Sequence, residues 1–252
     1  MEEKMKITNN YNLPESIYNV LNKDFEKPTI NKIRVTDLIN PPYMYYLKIQ
    51  HWDEIEEDAS DRLWALLGTA VHYILEKRAP ENSIIENRLE KTIHNFTITG
   101  QAVYNNEGIE DWKITSVWSF VYGNKIAWER QLNCYAWLYR HNGYKVKKLT
   151  INAILRDWKK SRVNGDYPPI PFVSRNIQLW SETEQDEYIK GRLLLFDHIK
   201  SSIEFDRGPI LTECLCTNED KWQRIDRKGV TITPRCQEYC SVREYCAEKR
   251  GK

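Results

Sequence analysis

A mixed α/β domain is the fold class this sequence predicts, and three features of its patterning carry that expectation. From Asp61 to Lys77, Leu63, Leu67, Val71 and Ile74 recur at helical spacing. Between Phe96 and Val103 the period changes to strict alternation, and Ile109 to Thr115 reads as a returning strand after the turn residues Asn105, Asn106 and Gly108. Ala127 to His141 is again helical, closed by Asn142 and Gly143, and Leu149 to Leu155 is a further strand. Helix, antiparallel strands, helix and strand in that order give a mixed sheet flanked by helices.

The flanking elements follow in chain order. Pro14 to Leu21 reads as a short helix, and Thr36 and Asp37 are cap candidates for a second helix that runs to Ile49 and is interrupted by Pro41 and Pro42. Six acids and no base between Asp53 and Asp61 suggest a solvated loop leading into the helix that starts at Asp61, which reads as buried. Glu182 to Glu204 is expected as one long helix, after which Gly208 and Pro209 open a cysteine-bearing tail. The expected division is a helical lead over 1–60, a core over 61–207 and a cysteine-rich extension over 208–252.

Composition limits the function. In 252 residues, 37 Lys plus Arg stand against 36 Asp plus Glu, a formal charge of +1, so any attraction for nucleic acid has to be local. With 41% apolar and 29% charged residues the chain is neither a membrane protein nor wholly disordered. No apolar run reaches the roughly 18 residues of a membrane span, and MEEKMKITNN lacks the apolar centre of a signal peptide. A cytoplasmic location and no membrane partner are therefore expected, and six cysteines there read as metal ligands, redox groups or small buried residues rather than disulfides.

The chemistry centres on Asp111 and Lys113. Two apart on a strand, they leave on one face while Trp112 and Ile114 take the other. Phosphodiester cleavage with a hard cation needs an oxygen ligand, plus a positive group to orient water or steady the developing charge. Asp-x-Lys offers both, although such a tripeptide is also what an ordinary solvated strand shows. Upstream, Ala65, Gly68 and Thr69 form a small-residue patch read as letting the helix approach the sheet, near His72 and Glu76. Downstream, Gln131 and Tyr135 lie one helical turn apart.

In order, GTAVHYILE (68 to 76), ITG (98 to 100), EDWK (110 to 113) and QLNCY (131 to 135) resemble the RecB-like branch of the PD-(D/E)XK nuclease superfamily, and in particular its phage-encoded exonucleases. The likeness runs from about Leu13 to Cys246 and includes a strand from Ala153 to Trp158. It implies a restriction-endonuclease-like core. It also implies His72 as a metal ligand, Asp111 as the acidic ligand, the Trp112 backbone carbonyl as a further donor, Lys113 as the catalytic lysine, and Gln131 and Tyr135 as a pair that holds DNA and the lysine. Glu76 reads as a surface acid or one that supports a ligand from behind. The expected cofactor is Mg²⁺ or Mn²⁺, and the expected partners are DNA ends or single strands and phage recombination or replication proteins.

The chain departs from the family at Val103, where an acidic ligand is expected three residues after the glycine of ITG. Valine cannot coordinate a cation, and it interrupts a row of polar residues, Thr97, Thr99 and Gln101. An inactive natural descendant, a replacement ligand such as Glu86 or Glu107, and an introduced substitution all remain open. Poor cleavage is expected, with rescue by Val103→Asp. The competing function is a non-catalytic DNA-binding or partner-binding module with the same fold.

Cys216, Cys236, Cys240 and Cys246 read C-x19-C-x3-C-x5-C, which suits a zinc site or a [4Fe-4S] cluster. Related RecB-like nucleases close their tail with a cluster, and three closely spaced cysteines near the end resemble Cys236, Cys240 and Cys246. In many of them the fourth cysteine lies near the N-terminus, where this chain has Pro41 and Pro42, so the resemblance leaves Cys216 as the fourth ligand and favours iron-sulfur over Zn²⁺. Cys134 reads as a small buried residue.

Between Arg140 and Gly165 eight bases face one acid, so Lys147, Lys148, Arg156, Lys159, Lys160 and Arg162 are candidates for a phosphate track, as against a merely solvated face. Trp112, Trp118, Trp128, Trp137 and Trp158 lie near the motifs, and one or two of them are candidates for base stacking.

Overall fold

A computed structural model describes residues 5–22, 26–78, 83–85, 87–122, 126–205, 211–226 and 228–246, with only the backbone described for Glu76, Tyr122 and 203–205. Glu86, Gly208 and Pro209, and with them the expected boundary at 207/208, lie outside the described residues. The chain divides into two compact units, one of Met1–Ile33, Asn40–Leu63 and Lys190–Lys252, the other of Arg34–Ile39 and Trp64–Ile189. The cysteine tail thus belongs to the same unit as the N-terminal lead without Arg34–Ile39.

The first unit opens with β1 (Lys6–Thr8) and α1 (Glu15–Leu21), and β2 (Lys32–Arg34) leads across to α2 (Val35–Leu38) in the second. The prolines do not interrupt one helix but separate two: Pro41 is the extended cap of α3 (Pro42–Gln50), and Pro42 takes its first position, where no N–H is needed. The acidic stretch is not wholly loop. It contains β3 (Glu56–Asp58), which pairs in parallel with β1, and Asp58 then caps a 3₁₀ turn over Ala59–Arg62. Hydrogen bonds from Ser60, Asn10 and Thr8 hold the Asp58 carboxyl down at about 2.

The second unit carries α4 (Leu63–Glu76, from its second residue), β4 (Leu89–Ile93), β5 (Phe96–Gly100), β6 (Val103–Asn105), β7 (Gly108–Thr115), α5 (Val117–Tyr122), α6 (Ile126–Arg140), β8 (Lys148–Leu155), β9 (Phe172–Ile177) and the start of α7 (Glu182–Phe205). β4 and β5 form an antiparallel pair. The main sheet runs β6-β7-β8-β9 and is mixed: β7 and β8 are parallel, joined through α5 and α6, and the outer pairs are antiparallel. Every residue of α6 from Gln131 to Tyr139 is buried, and Leu132, Trp137 and Leu138 belong to the same core as Ile109, Leu149 and Ile151 of the sheet. Burial is offset by pairing: Trp137 Nε1 donates to Asp186 at 2.8 Å, and Asn133 binds Gln178, Trp180 and Gln185.

Two expectations are corrected. The alternating stretch 96–103 is not one strand, because the chain leaves strand geometry at Gln101 and Ala102, where the Tyr139 hydroxyl donates to the Ala102 carbonyl at 2.6 Å. The helix over 61–77 is not buried either: Trp64, Leu67, Tyr73 and Ile74 of α4 are all exposed, and a Cβ on Gly68 would meet nothing within 4 Å, so the glycine lets no neighbour approach. Apolar period alone cannot tell a helix that has found its partner from one whose face is left open.

In the tail, β10 (Arg224–Ile225) and β11 (Thr231–Ile232) form a hairpin, followed by a π turn over Arg235–Tyr239 and a 3₁₀ turn over Arg243–Tyr245. A local core of the first unit gathers Leu47, Ile55 and Val242, with Tyr43, Met44, Cys240, Tyr245 and Cys246 against it.

Candidate active site

Alternation along β7 sends Asp111 and Lys113 to the same face, and α6 packs over it. The Asp111 carboxylate and the Lys113 ammonium are 2.8 Å apart, both largely covered. The contact is close but not aligned as a hydrogen bond, and Asp111 Oδ2 has no hydrogen-bond partner among the described residues. Lys113 Nζ donates instead to Gln131 Oε1 at 3.0 Å, and Gln131 Nε2 faces the Tyr135 hydroxyl at 3.5 Å. Burial pushes the Tyr135 phenol up to about 12, opposed by the contact with Gln131 and reinforced by the Asp111 charge. Asp111, Lys113, Gln131 and Tyr135 therefore form one connected polar row.

Gly100 explains the end of the ITG motif. A Cβ there would stand 2.7 Å from Tyr135 Cε1 and 3.0 Å from a Val35 methyl, so the phenol ring lies against bare backbone.

His72 approaches from α4. Its Nε2 lies 2.8 Å from the carbonyl oxygen of Trp112, the residue between Asp111 and Lys113. β6 pairs with β7 only as far as Glu110, so beyond that point the carbonyl is met by the imidazole rather than by a strand. A carbonyl oxygen can only accept, so this contact is a hydrogen bond from the Nε2–H of the imidazole. With Asp111 the two groups supply an imidazole, a carbonyl and a single carboxylate, a donor set that suits an ion which keeps several waters. Among the described residues no group of three or more His, Cys, Asp or Glu side chains is arranged to hold a metal.

Val103 pairs with Glu110, not with Asp111. Directly opposed residues share a sheet face, which sets position 103 on the side of Glu110, itself bonded to Asn152 at 3.1 Å. The cause is the turn: Asn106 and Glu107 both have positive φ, as a two-residue hairpin turn needs, and this length fixes the register one residue away from an Asp111 pairing. Glu107 is no replacement ligand, because it sits in that turn 2.5 Å from Lys147 Nζ, which lowers its carboxyl below the usual range.

The six basic residues fall into two groups. Lys147 pairs with Glu107 and the Lys148 stem lies over Gly108, at the start of β8. Arg156, Lys159, Lys160 and Arg162 follow its other end, about 25 Å away at ~3.3 Å per residue. Only the second group adjoins the Lys113 end of β7, since Thr115 pairs with Leu155. Of the tryptophans singled out, Trp137 is buried, Trp112 packs on Phe172, Trp128 on Phe120, and Trp158 donates to the Pro168 carbonyl; Trp118 is substantially exposed. Trp64, exposed and stacked with Arg156, is absent from that set because its place in an apolar helical period reads as core.

No disulfide joins the cysteines among the described residues, and Cys134 is buried as expected. Burial pushes the Cys216 thiol up to about 12, and Cys236 and Cys240 lie close enough to raise it further. Cys240 is raised in the same way, with Cys236 and Cys246 as contributing neighbours. Cys236 and Cys240 are thus neighbours of Cys216, and Cys236 and Cys246 of Cys240, but among the described residues no three of these thiols are gathered closely enough to hold a metal.

No family model and no curated protein matches the chain. Among solved structures, SSO0001 is similar over 93% of this chain and 94% of its own, with a TM-score of 0.54 and 18% identity, which shows a shared fold. A phage-related exonuclease from Haemophilus somnus aligns with 68% of this chain and 94% of its own, with a TM-score of 0.45 and 15% identity.

Proposed function

We propose that the chain is a divalent-metal-dependent DNA nuclease of the PD-(D/E)XK kind, acting on ends or single strands in phage recombination or replication, with cleavage weakened by the loss of one acidic ligand. The observation that carries this reading is the connected row Asp111, Lys113, Gln131 and Tyr135, with His72 on the carbonyl between the first two. Asp111, the Trp112 carbonyl and His72 would hold Mg²⁺ or Mn²⁺, which supplies Lewis acidity at the phosphate and a more acidic bound water. Lys113, a cation held between Asp111 and Gln131, orients the attacking water and steadies negative charge as it develops. Gln131 fixes the ammonium, and Tyr135, kept neutral by burial, stays a hydroxyl partner for Gln131. To ligate through Nε2, His72 must present a lone pair there, carrying its proton on the other nitrogen. Asp111 is the single acid this row provides, and a hard cation bound by one carboxylate is held more weakly, so the site would be filled less of the time.

Cys216, Cys236, Cys240 and Cys246 would hold a structural [4Fe-4S] cluster, or Zn²⁺ in its place, joining the tail to the core around Leu47 and Ile55.

The position of Val103 favours a second reading, a DNA-binding module that has kept the fold without turnover. Labelled single-stranded and duplex DNA, incubated with Mg²⁺ or Mn²⁺ and either the chain or its Lys113→Ala variant, separates the two. Slow metal-dependent cleavage that the variant loses supports the nuclease; binding with no cleavage under either metal gives the function to the module.

A further inference from the structure

We infer that Trp64, with Arg156 stacked on it, is a platform for an unpaired base, and that the gap at Gly68 lets a single strand of DNA pass from it toward His72. This rests on the nuclease reading and adds a selector for unpaired strands. Trp64, Gly68 and His72 stand at i, i+4 and i+8 of α4, on one helix face. Trp64 is 61% exposed, although its indole carries one of the largest apolar surfaces of any side chain. The Arg156 guanidinium carbon lies 4.2 Å from its ring centroid, so one face of the indole is covered by a cation and the other is open.

Gly68 is the second observation. Halfway between the platform and the site histidine there is no side chain, although a Cβ there would have no neighbour within 4 Å. Mid-helix glycine costs about 1 kcal/mol against alanine, so the position forgoes stability for open space. The helix rise puts Trp64 and His72 about 12 Å apart. That is at most three to four stacked nucleotide steps at ~3.4 Å each.

Charge identifies the occupant. Arg156 is pinned by its backbone N–H to the Thr115 carbonyl at 3.0 Å, two residues beyond Lys113. The loop after it is anchored by Asp157 to the Val117 N–H and by the Lys159 N–H to the Tyr167 hydroxyl, both at 2.8 Å, and Lys159, Lys160 and Arg162 are exposed on it. An aromatic face backed by arginine and followed by three bases fits an unpaired base and the phosphates beside it. Stacking on Trp64 requires a base free of its partner, so the platform favours single strands over duplex.

The test is fluorescence anisotropy of a fluorescein-labelled single strand of mixed sequence and of its duplex, without divalent metal so that nothing is cut. Trp64→Ala is expected to weaken single-strand binding about tenfold and duplex binding less than twofold, with Trp64→Phe keeping most of the affinity. Gly68→Leu improves helix propensity, so it should fold at least as well, yet should weaken single-strand binding to a similar degree by filling the gap. Unchanged single-strand affinity in Trp64→Ala and Gly68→Leu, or equal losses for both DNA forms, overturns the inference even if the chain cleaves DNA. Selective losses in a chain that cleaves nothing support the platform while ending the nuclease reading.

Discussion

The Lys113 ammonium donates to the Gln131 amide oxygen at 3.0 Å, so a helix 18 residues downstream fixes the direction of the strand's one cationic side chain. Gln131→Ala should therefore lower cleavage by about tenfold with little change in DNA affinity, because the ammonium is still present but no longer aimed. Folding should weaken by about 1–3 kcal/mol, as Tyr135 and Lys113 lose a buried partner. Gln131→Glu, which keeps the acceptor, should recover most of the activity. Denaturant titrations and single-turnover rates on the three proteins check this, and an equal rate in Gln131→Ala would remove the positioning role.

Gly100→Ala should destabilise the second unit by about 1–3 kcal/mol, since the added methyl would stand 2.7 Å from the Tyr135 ring. Gly68→Ala, with open space around it and helix on both sides, should stabilise by up to about 1 kcal/mol. Thermal melts of both variants decide whether the two glycines differ in this way. A neutral Gly100→Ala would mean that the ring is free to move aside.

The central helix–strand order was legible because period 2 and period 3.6 are strong in β7, α6 and β8, and the Asp111–Lys113 pairing on one face follows from alternation alone. The bridge from Lys113 to Gln131 needs the crossover that lays α6 on the sheet, which the family resemblance anticipated and the spacing did not. The short strands β1, β3 and β9 gave no signal: three acidic residues make β3, and Phe172–Ile177 is exposed at every other position on an edge. Hairpin register was illegible for a different reason. It depends on two positive-φ residues, Asn106 and Glu107, and a glutamate there does not announce a tight turn.

That register bears on rescue at position 103. The sequence alone leads one to expect that Val103→Asp restores the metal site. The pairing of Val103 with Glu110 instead delivers the new carboxylate to the opposite sheet face, beside an existing negative charge. Cleavage should stay within about threefold of the starting chain, and stability should fall because a side chain only 8% exposed becomes an acid. Strong Mg²⁺-dependent cleavage by Val103→Asp would show that the hairpin slides by one residue.

The raised Tyr135 phenol has a consequence at alkaline pH. A group neutral in the fold up to about 12 but ionising near 10 when unfolded contributes stability that is complete below pH ~10 and declines as pH rises toward 12. The slope approaches ~1.4 kcal/mol per pH unit in that window. Tyr135→Phe should remove this part of the alkaline decline while leaving neutral-pH folding changed only modestly. Urea titrations between pH 9 and 11 on both proteins check it, and parallel declines would assign the slope to other groups.

The tail offers a test independent of DNA. Cys240 and Cys246 pack against Leu47, Ile55 and Val242, and the neighbouring Tyr245 ring stacks on His51 at 4.1 Å, so loss of whatever the four thiols bind should be felt as far as α3. Protein purified without oxygen should be brown with broad visible absorbance, and Cys216→Ser, Cys236→Ser, Cys240→Ser or Cys246→Ser should each bleach it and lower the melting temperature of the first unit. Cys134→Ser should cost packing without touching the colour, because that buried thiol is not among the four proposed ligands. A colourless protein with one zinc per chain, lost in the same four variants, would keep the ligand set and replace the cluster. Iron and zinc both absent, with the four variants as stable as the parent, would leave the thiols as ordinary packing groups.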